Sequence, residues 1–189
     1  MPVKIVISSL FLFLFFLEAA SVLGQELVDM PRLYQTAFQA LQQSDDSASY
    51  YVNRFSLNAN QKNMKEWQMK SFFLEGILFK EIDKAKSRRL YVNAANIAYE
   101  LDSIRFLADI KIRQAYLYKN AFYIPDSALF FFREAKAFAI EQNYLLGEVR
   151  ASTGIAYLRM DRGEYLSAMD ILLSIRNHIE ELDNSAEWS

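Results

Sequence analysis

The sequence predicts an all-α fold: a right-handed α-solenoid of about four antiparallel helix pairs with a 40–41-residue period. Three observations lead there. The 189-residue chain holds only 5 Gly and 3 Pro, about a third of ordinary usage, which is too few for turn-rich β architectures. Its apolar residues recur at spacings of three, four and seven, and no stretch alternates with period two for long enough to make a strand. A helix-ending pattern also returns three times at nearly constant spacing, the mark of stacked units that share one core.

The first element is an address. Met1–Lys4 gives a short positive start, Ile5–Leu17 is a thirteen-residue apolar run, and Ser21-Val22-Leu23-Gly24 offers small residues for cleavage before Gln25. Residues 1–24 therefore read as a secretory signal peptide; a spanning helix needs about 20 apolar residues. The expectation is an exported protein, periplasmic or extracellular in a bacterium, whose folded domain is residues 25–189.

Helices follow in order. Pro31, just after Asp29, suits a first helical turn, and Leu33, Ala37, Phe38 and Leu41 then share a face. Ser44-Asp45-Asp46-Ser47 breaks and recaps the chain. Ala48, Tyr51, Val52, Phe55 and Ala59 continue with helical spacing, and a second break is expected over Asn58–Asn63. A stripe of Met64, Trp67, Ser71, Leu74 and Leu78 comes next. From there the repeat takes over. Ile97–Asp102, Phe138–Asn143 and His178–Asp183 align, matching Ala98, Ala139 and Ile179, then Glu100, Glu141 and Glu181, then Asp102, Asn143 and Asp183, at offsets of 41 and 40. Ala115-Tyr116-Leu117 recurs as Ala156-Tyr157-Leu158, 41 residues on, and Ala128 and Ala168 open corresponding second helices. Tyr123-Ile124-Pro125-Asp126 and Gly163 fall at the turns inside the last two pairs, with Pro125 ending one helix and Asp126 or Ser127 capping the next.

Gly163-Glu164-Tyr165-Leu166-Ser167-Ala168, followed by Leu172 and Ile175, resembles the tetratricopeptide repeat (TPR), in which a turn glycine leads through an aromatic to a small alanine on the second helix. Ala128, Phe132 and Ala135 repeat the pattern one unit earlier, and Ala115, Ala156 or Gly154 match the small position on the first helices. The resemblance spans roughly 63–183. It departs from the family in its longer period, usually about 34 residues, in lacking the early Trp and Leu-Gly pair, and in ending no unit with Pro. Similar arrays stand in the exported sensor regions of bacterial regulators and histidine kinases. The resemblance implies first helices lining a concave groove that takes a protein or peptide.

Arg113, Tyr116, Lys119, Asn120 and Tyr157 lie on those first helices. They are the candidate partner-binding residues, since Arg and Lys grip carboxylates and Tyr gives a rigid amphipathic contact. Lys80, Lys84, Lys86, Arg88 and Arg89 form a basic cluster, diluted by Glu81 and Asp83, that reads as a wet helix face or a site for an acidic partner or membrane head group. Phe130-Phe131-Phe132 reads as buried between neighbouring helices.

Chemistry is expected nowhere. No Cys excludes disulfides, thiolate metal sites and a cysteine nucleophile, and a single His, His178, cannot build a multi-histidine site. The glycines are scattered, so no phosphate loop exists. A net charge of −2 gives no reason to expect nucleic acid. The sequence thus predicts a non-catalytic scaffold without cofactor. It contacts a membrane only through its signal segment or a membrane-bound partner. A sensor or input region of a membrane-linked signalling regulator is the alternative.

Overall fold

The computed structural model describes residues 28–183, so the expected signal peptide and the tail 184–189 lie outside the described residues. Those residues form nine α-helices and no strand: α1 Met30–Gln42, α2 Ala48–Lys62, α3 Lys65–Phe79, α4 Lys84–Glu100, α5 Ile104–Leu117, α6 Pro125–Glu141, α7 Leu145–Asp161, α8 Tyr165–Ser174 and α9 Arg176–Asp183. A single π-helical turn, Tyr118–Phe122, prolongs α5. None of these helices is long and apolar enough to cross a membrane.

The helix ends follow local chemistry. The Asp29 side chain accepts from the Arg32 N–H at 3.1 Å, satisfying a first-turn donor of α1, and Pro31 sits in that turn. Asp83 caps α4 the same way through Lys86 N–H at 2.8 Å. Asp45 ties the chain before α2 by accepting from both the N–H and the hydroxyl of Ser47. Ser44, Asn63, Asp102, Tyr123, Asn143 and Gly163 all take positive φ at helix ends. Such left-handed residues turn the chain back and satisfy terminal carbonyls. Asp102 and Asn143 close α4 and α6, and Tyr123 and Gly163 close α5 and α7.

Four expectations are corrected. The helix α2 runs unbroken through Asn58 to Lys62, because Ala59 is fully buried and holds that turn against the core. Met64 is an exposed, extended residue before α3 and takes no part in the stripe, whereas Ser71 and Leu74 are buried. At the α5–α6 turn, left-handed Tyr123 ends the first helix and Pro125 opens the second. Asp126 lies within the new helix and pairs with Arg162 in place of a capping role. The expected second helix of the last pair divides into α8 and α9 at Ile175, whose side chain drops into a cluster with Ala108, Ala139, Tyr144 and Val149.

Sequence neighbours pack on one another throughout: α1 on α2, α3 on α4, α5 on α6, α7 on α8. Contacts of α1 with α3 and of α5 with α7 bring the odd-numbered helices alongside each other. Small residues set the spacing. Ala128 and Ala135, bracketing Phe132, are fully buried, as are Ala115 and Ala156. Gly154 lies under the Phe132 ring, where an added Cβ would come within 2.3 Å of it. Gly76 lies under Tyr91 in the same way, at 2.5 Å. In the Phe130–Phe132 run only Phe132 is buried, and Phe130 is 56% exposed, because successive residues step by 100° and only one can face α7.

Gly154→Ala should lower stability by about 1–3 kcal/mol, the usual cost of overpacking, although alanine is the better helix former. Gly163→Ala should cost about 1 kcal/mol because its φ of 77° suits glycine. Urea unfolding of each variant measures both; a Gly154→Ala chain as stable as the parent would refute the ring-on-glycine packing.

Candidate functional site

On α5 the side chains of Asp109, Arg113 and Tyr116 follow at intervals of four and three, which places them on one helical face. That face meets α1 and α7 across a groove of about 500 Å³. Tyr34 and Phe38 from α1, Phe73 from α3, Phe106 from α5, and Tyr144 and Arg150 at the start of α7 complete its walls.

Aromatic rings floor the groove. Tyr34 stacks on Phe38 with centroids 6.1 Å apart, Phe38 on Phe73 at 6.3 Å, and Phe73 meets Phe106 at 5.0 Å. Tyr116 meets Phe132 edge-on at 5.0 Å. Such offset and tilted pairs add about 0.5–1.5 kcal/mol each beyond the area they bury, which favours this arrangement of the rings.

Charge gathers around Asp109. Its Oδ1 accepts from the Tyr144 hydroxyl at 3.0 Å and lies 3.8 Å from Arg150 Nη1. The Arg105 guanidinium stacks 4.3 Å from the centroid of the Tyr144 ring. Burial pushes the Asp109 carboxyl above its ordinary value, against the lowering influence of Arg150, Tyr144, Arg113 and Arg105. Burial also raises the Tyr34, Tyr116 and Tyr144 phenols, and the Asp109 charge reinforces this at Tyr34 and Tyr144, so all three remain protonated donors. Arg113 makes no ion pair among the described residues. Its guanidinium stands 5.9 Å from the centre of Phe38, facing the groove.

The expected site residues therefore separate. Arg113 and Tyr116 line the groove. Tyr157 of α7 is half-exposed and near enough to Tyr116 to influence its phenol electrostatically. Lys119 is instead engaged with Asp161 at 3.0 Å, joining the end of α5 to the end of α7. Asn120 is exposed and outside the groove lining. Both lie in the π turn that prolongs α5, beyond Tyr116, the last residue of that helix to line the groove.

Sequence reasoning missed Asp109, Tyr144, Arg150, Tyr34 and Phe38 as groove residues. One signal was there for Asp109, an acid set in the apolar run Phe106-Leu107-Ala108-Asp109-Ile110, four residues before Arg113. The others come from helices far along the chain. Lone His178 approaches Glu148 of α7 at 3.5 Å. Among the described residues no group of acids and histidines is arranged to hold a metal. No family model, curated protein or solved structure matches the chain.

The raised Asp109 value has a defined consequence for stability. The folded state holds this proton more tightly than the unfolded chain, whose carboxyl titrates near 3.8. Its contribution is therefore full below that pH and is lost as pH rises from there through the folded value. Asp109→Asn should flatten that part of the stability–pH curve, and NMR of the carboxyl carbon should place its midpoint above 3.8. A midpoint below 3.8 would mean that the surrounding arginines outweigh burial.

Proposed function

We propose that this protein is an exported, non-catalytic TPR-like scaffold that binds a protein or peptide partner in the groove between α1, α5 and α7. The observation that carries the reading is Arg113, a groove-facing guanidinium that acts on Asp109 but forms no ion pair among the described residues, set beside an aromatic floor. The groove holds Arg113 and Arg150 against Asp109 and so carries a positive excess. It suits an acidic segment with an apolar or aromatic neighbour: the acid meets Arg113, and the neighbour lies on Phe38 and Tyr116. A rigid receptor loses little conformational entropy on docking, which favours this mode of recognition.

The repeat reading has its own support. Left-handed residues recur 41 apart at Asp102 and Asn143 and 40 apart at Tyr123 and Gly163. Equivalent positions share their burial, with Ala115 and Ala156 fully inside and Leu117 and Leu158 nearly so. A solenoid of helix pairs accounts for both.

Calorimetric titration with short peptides tests the proposal. Acidic peptides containing a Phe or Leu next to the acid should bind, and lysine-rich peptides of equal length should not. Arg113→Ala should weaken binding about 10–100-fold, the ordinary range for losing a hydrogen bond to a charged group, and Tyr116→Phe should leave most of it. Indifference of the acidic peptides to Arg113→Ala would falsify the assignment.

A further inference from the structure

A second surface lies at one edge of the molecule, away from the groove. The turns α3–α4, α5–α6 and α7–α8 stand side by side there, joined by three contacts. Lys84 Nζ donates to the Ala121 carbonyl at 3.1 Å, Lys119 pairs with Asp161, and Arg162 pairs with Asp126. Each turn carries an exposed apolar tip: Ile82 (74% exposed), Tyr123 (80%) with Ile124, and Leu166 (77%) with Tyr165.

Tyr123 is the most telling of these. It holds φ 57° at a turn where the chain uses Gly163 one helix pair later. An exposed left-handed aromatic is strained, and its side chain gains no packing to offset that. Strain of this kind at a surface points to a role outside the fold.

The charges of the edge agree. Of the acids on the three turns, Asp126, Asp161 and Glu164 are paired with Arg162, Lys119 and Arg159, and Asp83 caps α4. That leaves Glu81 against Lys80, Lys86, Arg88 and Arg89, none of which forms an ion pair among the described residues. The last three border a groove of about 660 Å³ with apolar walls at Val92, Tyr118 and Phe131.

We infer that this turn edge docks on a bilayer surface bearing anionic phospholipid, with Ile82, Tyr123 and Leu166 entering the headgroup layer and the Lys86–Arg88–Arg89 groove taking a lipid phosphate. Protruding apolar tips on separate convex turns, flanked by cations, match an interface that accepts side chains anywhere along it. Tyrosine favours that depth, and each nearby cation adds attraction to anionic lipid. This docking is independent of the peptide groove and does not use the N-terminal apolar run.

The absence of cysteine makes a position-specific test direct. Ile82→Cys, Tyr123→Cys and Leu166→Cys each carry an environment-sensitive NBD label in the full chain, with Asn60→Cys and Gln142→Cys as labels on exposed positions at the opposite helix ends. Vesicles of phosphatidylcholine containing phosphatidylglycerol should brighten and blue-shift the three tip labels and leave the opposite pair unchanged. Pure phosphatidylcholine should do neither. Lys86→Gln and Arg89→Gln should each lower partitioning about fivefold. Tip labels that ignore anionic vesicles overturn the inference, as do labels that respond equally at both edges, which is anchoring by the N-terminal run. A response to inorganic phosphate alone overturns it too, by assigning the basic groove to a soluble anion.

Discussion

Close approach of helices at small residues is the constraint on which the rest of this structure depends. Phe132 can be fully buried only because α7 presents Gly154 beneath it, and Tyr91 only because α3 presents Gly76. A large ring against a bare backbone allows two helices to lie near each other while still filling the space between them. Ala115, Ala128, Ala135 and Ala156 extend the same seam. With the helices held this close, α5 is fixed against both α6 and α7, and its polar face is left looking across at α1.

The groove inherits its chemistry from that placement. Tyr144 ends the α6–α7 turn with its ring against Gly147, and from there its hydroxyl reaches Asp109. The carboxylate is thus held by a residue that also packs, so its position is set by the same contacts that build the core. Arg150, six residues beyond Tyr144, answers the charge from within α7. Arg113, one turn further along α5, also acts on the Asp109 charge but forms no ion pair among the described residues, and the proposed anion recognition rests on this second arginine. At the turn edge the acids of the α5–α6 and α7–α8 turns are paired, whereas Lys80, Lys86, Arg88 and Arg89 form no ion pair among the described residues and the apolar tips stand without cover.

Much of the helical content was legible because its signals are local. Asp29 with Pro31 announced α1, and the spacing of Val52, Phe55 and Ala59 announced the buried face of α2. Ala128, Phe132 and Ala135 were readable as an inward stripe. The candidate site was readable only in part. Arg113 and Tyr116 share a face that any regular helix would give them, whereas Lys119 and Asn120 lie past the end of the groove, and Lys119 is held by an acid from α7 that no local pattern points to. Asn58 to Asn63 looked like a break because its residues favour turns, but a buried Ala59 outweighed that preference.

The helical character of this chain, the ends of several helices and the inward residues of some were legible in the sequence, because propensity, capping and apolar spacing act over a few residues. Which polar faces meet depends on how the helices stack. The groove brings Tyr34 and Phe38 to Arg113 and Arg150 across 75 to 116 residues of chain. The turn edge likewise aligns Ile82, Tyr123 and Leu166, each about forty residues from the next. No local pattern carries such distances. They follow from how closely the helices stack, and that is set by rings seated on glycine and alanine.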